Sequence, residues 1–172
     1  MKKLLIAIIS FFLFTLSISP VFAASGKTID FESEGSNVSV GLRSLPICWL
    51  FSSGCDASAS GDAQTSPMGK STFEASFNSA WLNHSTSNGK GGYCAPTTGT
   101  MSLTDKKGHV LYMYFSGSNC DTGALFSFHH VLNGNFSITG GTGSYEGARG
   151  SGTFNSSDDG EATFHAVGSI QL

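Results

Sequence analysis

Four side chains stand out for the chemistry they could do: Arg149, Glu74, His130 and Tyr145. Arg149 and Arg43 are the only arginines in a chain of formal net charge −3. An isolated guanidinium suits an anion or a carbonyl, either of which its planar fork can bind. Its plainer role is a salt bridge to Glu146 that fixes a loop. Glu74 occupies an even position of Ser71 to Ser79, a segment whose odd positions hold Phe73, Ala75 and Phe77. Facing a wet cavity, Glu74 could act as an acid or base; facing solvent, it is a surface charge. His130 alternates with Phe126, Phe128 and Leu132, which suits a hydrogen-bonded core histidine at least as well as a ligand-binding one. Tyr145 neighbours Arg149 and completes the ligand-binding candidates.

A catalytic constellation is not legible. There is no GxSxG elbow, and no Ser/His/Asp order stands out. Gly140 to Gly143 lacks the lysine and following helix of a phosphate loop. His129 and His130 point to opposite faces of a regular strand and cannot chelate one ion together. His84, His109 and His165 lie on distant segments, and no cysteine spacing is a CxxC pair. We expect no metal and no cofactor. The absence of a basic patch also argues against nucleic acid as a partner.

The elements that must position these residues are strands. No long stretch repeats apolar residues at helical spacing, whereas period two is plain in three places. Ser71 to Ser79 has one dry face. Ala162, Phe164, Ala166, Gly168 and Ile170 form a second such row, and Phe126, Phe128, His130 and Leu132 a third. Asp105-Lys106-Lys107-Gly108 is a three-residue hairpin loop, with Asp opening a type I turn and Gly in the left-handed site that follows. It sets Asp105 against His109, Leu103 against Leu111 and Met101 against Met113. Tyr112 and Tyr114 fall on the other face, beside Ser102 and Thr100. Such a pair can serve as a carbohydrate platform or partner surface, although cross-strand packing is the simpler account.

The same register puts Cys94 opposite Cys120, close enough for a disulfide. Cys48 and Cys55 then pair by elimination and tie off the Trp49-Leu50-Phe51 loop. In the chain-entropy model the two bridges stabilise by about 3.5 and 2.5 kcal/mol. Further strands are expected at Ile29 to Ser33, Val38 to Leu45, Ala124 to Leu132, Asn135 to Thr139, Ser151 to Asn155 and Glu161 to Ile170. Turns are expected at Asn133-Gly134 and Ser157 to Gly160, and polar loops at Ala57 to Gly69 and Asn83 to Gly92. The result is an all-β domain, a closed antiparallel barrel of about eight strands with two disulfides.

The N-terminus reads as a secretory signal peptide over residues 1–23: a basic Met1-Lys2-Lys3, an apolar core, then Val21-Phe22-Ala23 before the cut. Residues 24–172 then form one domain, secreted or periplasmic, with no membrane span once the leader is removed. The cysteine usage fits that setting.

Phe136-Ser-Ile-Thr-Gly-Gly-Thr-Gly-Ser-Tyr-Glu-Gly-Ala-Arg-Gly-Ser-Gly-Thr-Phe154 resembles the glycine-rich segment of the allene oxide cyclase and dirigent-like barrel superfamily. Gly99 to Gly108 resembles the GTxxLTDxxG hairpin of its small exported bacterial members. The resemblance runs from Tyr93 to Leu172. It implies an eight-stranded barrel with a central cavity, a pocket role for Arg149, and association into dimers or trimers. The acidic residues that dirigent chemistry requires have no match here. The function expected is therefore an exported, non-catalytic barrel binding a small hydrophobic ligand or a surface partner. A dirigent- or cyclase-like enzyme and a secreted adhesin- or inhibitor-like module are the alternatives.

Overall fold

The computed structural model describes residues 26–42, 54–80, 85–89, 92–121, 130–157 and 162–172. In chain order the strands are β1 (Thr28–Leu42), β2 (Cys55–Ser66), β3 (Gly69–Ser79), β4 (Thr86–Ser87), β5 (Tyr93–Asp105), β6 (Val110–Asp121), β7 (His130–Gly141), β8 (Arg149–Ser157) and β9 (Thr163–Gln171). A 3-10 turn, Gly143–Tyr145, lies between β7 and β8. The sheet order is β3-β2-β1-β9-β8-β7-β6-β5-β4, and β3 also pairs with β5. Eight strands thus close into an antiparallel barrel, leaving the two-residue β4 outside it on β5. Closure leaves none of those eight with a free edge.

The β5–β6 hairpin has the expected register. Met101 faces Met113, Leu103 faces Leu111, and Cys94 faces Cys120 and is bonded to it. Gly108 takes φ +82 in the left-handed site. Of the second expected bridge, Cys55 is disulfide-bonded, and Cys48, like the Trp49 loop, lies outside the described residues.

Three expectations are corrected. The expected Ala57 to Gly69 loop is strand β2 up to Ser66, with a turn at Pro67-Met68 and Gly69 opening β3. The inward residues of β2 include Ala57, Ala63 and Thr65, too small to produce a visible hydrophobic alternation. Asn133-Gly134 is not a turn but the middle of β7. Gly134 pairs there with Gly117 on one side and Phe154 on the other, so its missing side chain serves close approach rather than chain reversal. Ile29 to Ser33 and Val38 to Leu42 join into a single strand, whose register shifts between Ser36 and Ser39. A bulge of this kind bends a strand without ending it. In the expected Asn83 to Gly92 loop, Thr86 and Ser87 form β4. Residues 43–45, 124–129 and 158–161 lie outside the described set.

The core follows one rule. Each phenylalanine of the described strands is paired across the sheet with a glycine: Phe31 with Gly168, Phe73 with Gly61, Phe136 with Gly152, Phe154 with Gly134, Phe164 with Gly35, and both Phe77 and Phe115 with Gly99. A side chain at Gly35, Gly99, Gly134 or Gly152 would run into the opposing ring. The rings then meet one another, Phe73 on Phe164 at 4.8 Å, Phe115 on Phe154 at 5.0 Å and Phe31 on Phe136 at 5.3 Å. Such tilted and edge-on contacts add to the burial of the rings themselves.

Two stability predictions follow from this geometry. Gly152→Ala should cost about 1–3 kcal/mol by overpacking, measured by urea denaturation. An unchanged midpoint would mean that neither the Val167–Gly168 backbone nor the Phe136 ring needs the space. The double variant Cys94→Ala/Cys120→Ala should lose about 3.5 kcal/mol, the chain-entropy value for a loop of this length.

Candidate functional site

The four candidate residues do not converge. Glu74 is exposed on the outer face of β3, opposite Ser60 and Ser102. His130 opens β7 opposite Asp121, at one end of the barrel. Arg149 is exposed at the start of β8, where Nη1 donates to the carbonyl oxygens of Thr139 at 2.8 Å and Ala148 at 2.7 Å. It therefore ties the two arms of the β7–β8 hairpin together and makes no ion pair with Glu146. Tyr145 is buried against the core. Burial first, then the negative charge of Asp105, pushes its phenol above 10.0, so it stays neutral in ordinary conditions.

The structure instead brings together residues that are distant in sequence. The first group joins the β5–β6 turn to the glycine-rich β7–β8 connection. Asp105 Oδ1 accepts from the amides of Lys107 (2.8 Å) and His109 (2.9 Å), and Oδ2 lies 3.2 Å from His109 Nδ1. Ser144 Oγ is also 3.2 Å from His109 Nδ1. Thr142 closes the junction: its amide donates to the Val110 carbonyl oxygen, and its hydroxyl accepts from the Val110 amide. Gly143, at φ +59, leaves room for the His109 ring.

An Asp, a His and a Ser in contact suggest nucleophilic catalysis, but the nitrogen usage rules that out in this arrangement. A triad needs the carboxylate on one ring nitrogen and the hydroxyl on the other. Here both meet Nδ1, so the histidine cannot be oriented by Asp105 and take a proton from Ser144 at once. The group is a clamp between two hairpins. Burial alone would raise the Asp105 carboxyl, but the amide bonds from His109 and Lys107, with the His109 ring, outweigh it and hold the group below its usual 3.8.

The second group lies on the outer wall. His165 Nε2 is 3.2 Å from Glu32 Oε1 and 4.0 Å from Glu34 Oε1. These are atom types that hold divalent ions, and the three lie within 4.8 Å of one another. The glutamates are 60 % and 70 % exposed, however, and a solvent-exposed hydrogen bond between His165 Nε2 and Glu32 Oε1 accounts for the arrangement. Both line a groove of about 440 Å³ with Gln64, Thr65 and the Ser66-Pro67 turn. Inside that rim Ser33, Thr65 and Ser71 are buried and linked by their hydroxyls at 2.8 and 3.1 Å.

A third group occupies inward positions at the opposite end of the barrel. Ser79 and Thr97 hydroxyls meet at 2.7 Å, and Asn119 Nδ2 donates to Ser79 at 3.4 Å. Asn119 Oδ1 is buried and has no hydrogen-bond partner among the described residues. Neither the His165 group nor this one could be read from the sequence, because strand pairing alone brings their members together.

The Asp105 clamp predicts an acid limb. Its folded carboxyl is depressed, so its stabilisation is complete above 3.8 and is lost as pH falls through the lower folded value. Between about pH 4 and pH 2 the wild type should lose more stability than Asp105→Asn; parallel urea midpoints for the two proteins would sink this assignment.

The chain was compared with known protein families, curated proteins and solved structures, and none of them matches it.

Proposed function

We propose that the protein is a non-catalytic binding module working outside the cytoplasm, and that its barrel is a scaffold whose outer wall meets a surface partner. The observation that carries this reading is how the aromatic side chains of the described residues divide between core and wall. Phenylalanine rings seated over glycines occupy the middle of the barrel, whereas Tyr112 and Tyr114 stand 45 % and 42 % exposed on the wall. The residues first weighed for chemistry support the same view, since Arg149 is spent on main-chain carbonyls and Tyr145 on packing. The Cys94–Cys120 bridge and the leader-like first residues favour export. A Cys48–Cys55 bridge belongs to the same proposal, as does membership of the allene oxide cyclase and dirigent-like superfamily, which the eight-stranded closure and the glycine-rich β7–β8 connection favour.

A second reading rests on Asn119. Its unpartnered carbonyl, beside Ser79 and Thr97, favours a small donor-bearing molecule held at that end of the barrel. Native mass spectrometry of the protein purified from its own cells separates the two. The mass of the bare polypeptide is expected. A retained small molecule, lost in Asn119→Leu, would overturn the surface reading in favour of the second.

A further inference from the structure

The outer wall is divided by charge. Asp30, Glu32, Glu34, Asp56, Asp62 and Glu74 all point outward from β1, β2 and β3, against the single cation Lys70 among the described residues of these strands, so this half of the barrel is acidic. On β5, β6, β7 and β8 the outward positions are mostly hydroxyls and amides, with the two tyrosines, Pro96, Val110, Val131 and the Cys94–Cys120 bridge among them. Arg149, at the start of β8, is the one charged side chain among them. Tyr112 and Tyr114 lie at the centre of this neutral half. Tyr112 is flanked by Ser102 on β5 and Tyr114 by Thr100, while Ser137 on β7 flanks Tyr114 from the other side.

From this division we infer that the neutral wall binds a neutral polysaccharide, with Tyr112 and Tyr114 stacking on two of its sugar rings. The inference rests on the surface-module reading above and names its partner. Alternate residues of a strand share a face and stand about 7 Å apart, far enough for each ring to take its own sugar. An aromatic ring offers a flat apolar surface with a polar edge, matching the C–H face and hydroxyl rim of a pyranose. The flanking Ser and Thr hydroxyls both donate and accept, as sugar hydroxyls require. The charge pattern selects among polymers. The neutral half offers an acidic glycan or nucleic acid few cations, Lys106 and Lys107 at the β5–β6 turn and Arg149, whose Nη1 already donates to two carbonyl oxygens, and the acidic half repels both. A stable protein partner would need an apolar patch around the tyrosines, and apart from Val110 and Gly140 their neighbours carry hydroxyls.

The test uses affinity electrophoresis of the full chain through gels containing cellulose derivatives, curdlan, mannan or agarose, with alginate as the acidic control. At least one neutral polymer should retard the protein, alginate should not, and added salt should leave the retardation unchanged. Tyr112→Ala and Tyr114→Ala should each weaken binding about tenfold, the loss of one stacked ring. Tyr→Phe at both positions should retain most of it, and Glu74→Gln on the acidic wall should change nothing. Near-ultraviolet circular dichroism checks that each variant is folded. Retardation by none of the neutral polymers, or equal retardation of the Tyr→Ala variants and the wild type, overturns the inference. A purified protein that binds through the same tyrosines would overturn the glycan while leaving the surface module standing. A small molecule retained inside the barrel would overturn the module itself.

Discussion

The pairing of phenylalanine with glycine across neighbouring strands is the constraint on which this barrel depends. A small closed barrel has little room inside, and a ring projecting inward from one strand needs a gap on the next. Gly35, Gly99, Gly134 and Gly152 are those gaps, each lying under a ring from the adjacent strand. The cover works in both directions. The glycine makes space for the ring, and the ring shields a stretch of backbone that would otherwise be bare and loosely held. A slip of one residue in any of these pairs would drive the ring out of its gap and turn the strand's dry face outward. Register and core packing are therefore one property here.

This division of labour decides where chemistry can reside. With the middle of the barrel committed to rings, polar groups remain at the two ends and on the outer wall. The Ser33-Thr65-Ser71 chain lies under one rim, and Ser79, Thr97 and Asn119 under the other. The glycine-rich run after β7 belongs to the scaffold. Gly143 gives the His109 ring its space, Thr142 bonds back to Val110, and Arg149 crosses to Thr139. Its unusual composition records a tight junction between two hairpins.

The sequence is legible where a local signal fixes a pair. Asp105 and Gly108 set one turn, and that turn alone placed Cys94 opposite Cys120. Alternation exposed β3 and β9 because their inward residues include Phe73, Phe77, Phe164 and Ile170. The same rule missed β2, whose inward side chains are small because phenylalanines from elsewhere fill the space before them. Asn133-Gly134 has the composition of a turn, yet Gly134 is glycine because the β6 backbone at Ser116 and Gly117 and the Phe154 ring leave no room for a side chain, and all of these are distant in sequence. The Ser144–His109 contact and the His165–Glu32 pair were illegible for the same reason, since each joins residues that only the pairing of separate strands brings together.

Closure also sets an order of events. The first strand, β1, pairs with the last, β9, from Thr28 against Gln171 to Gly35 against Phe164. Until β9 has been synthesised, β1 lacks that neighbour and Gly35 lacks the ring that covers it. The hairpins from β5 to β8 are local and can form early. The β1–β9 seam must wait until β9 has been made, and contacts of such long separation form slowly. The barrel therefore closes on its last strand, and until that strand arrives β1 and β8 are the unpaired edges of an open ribbon.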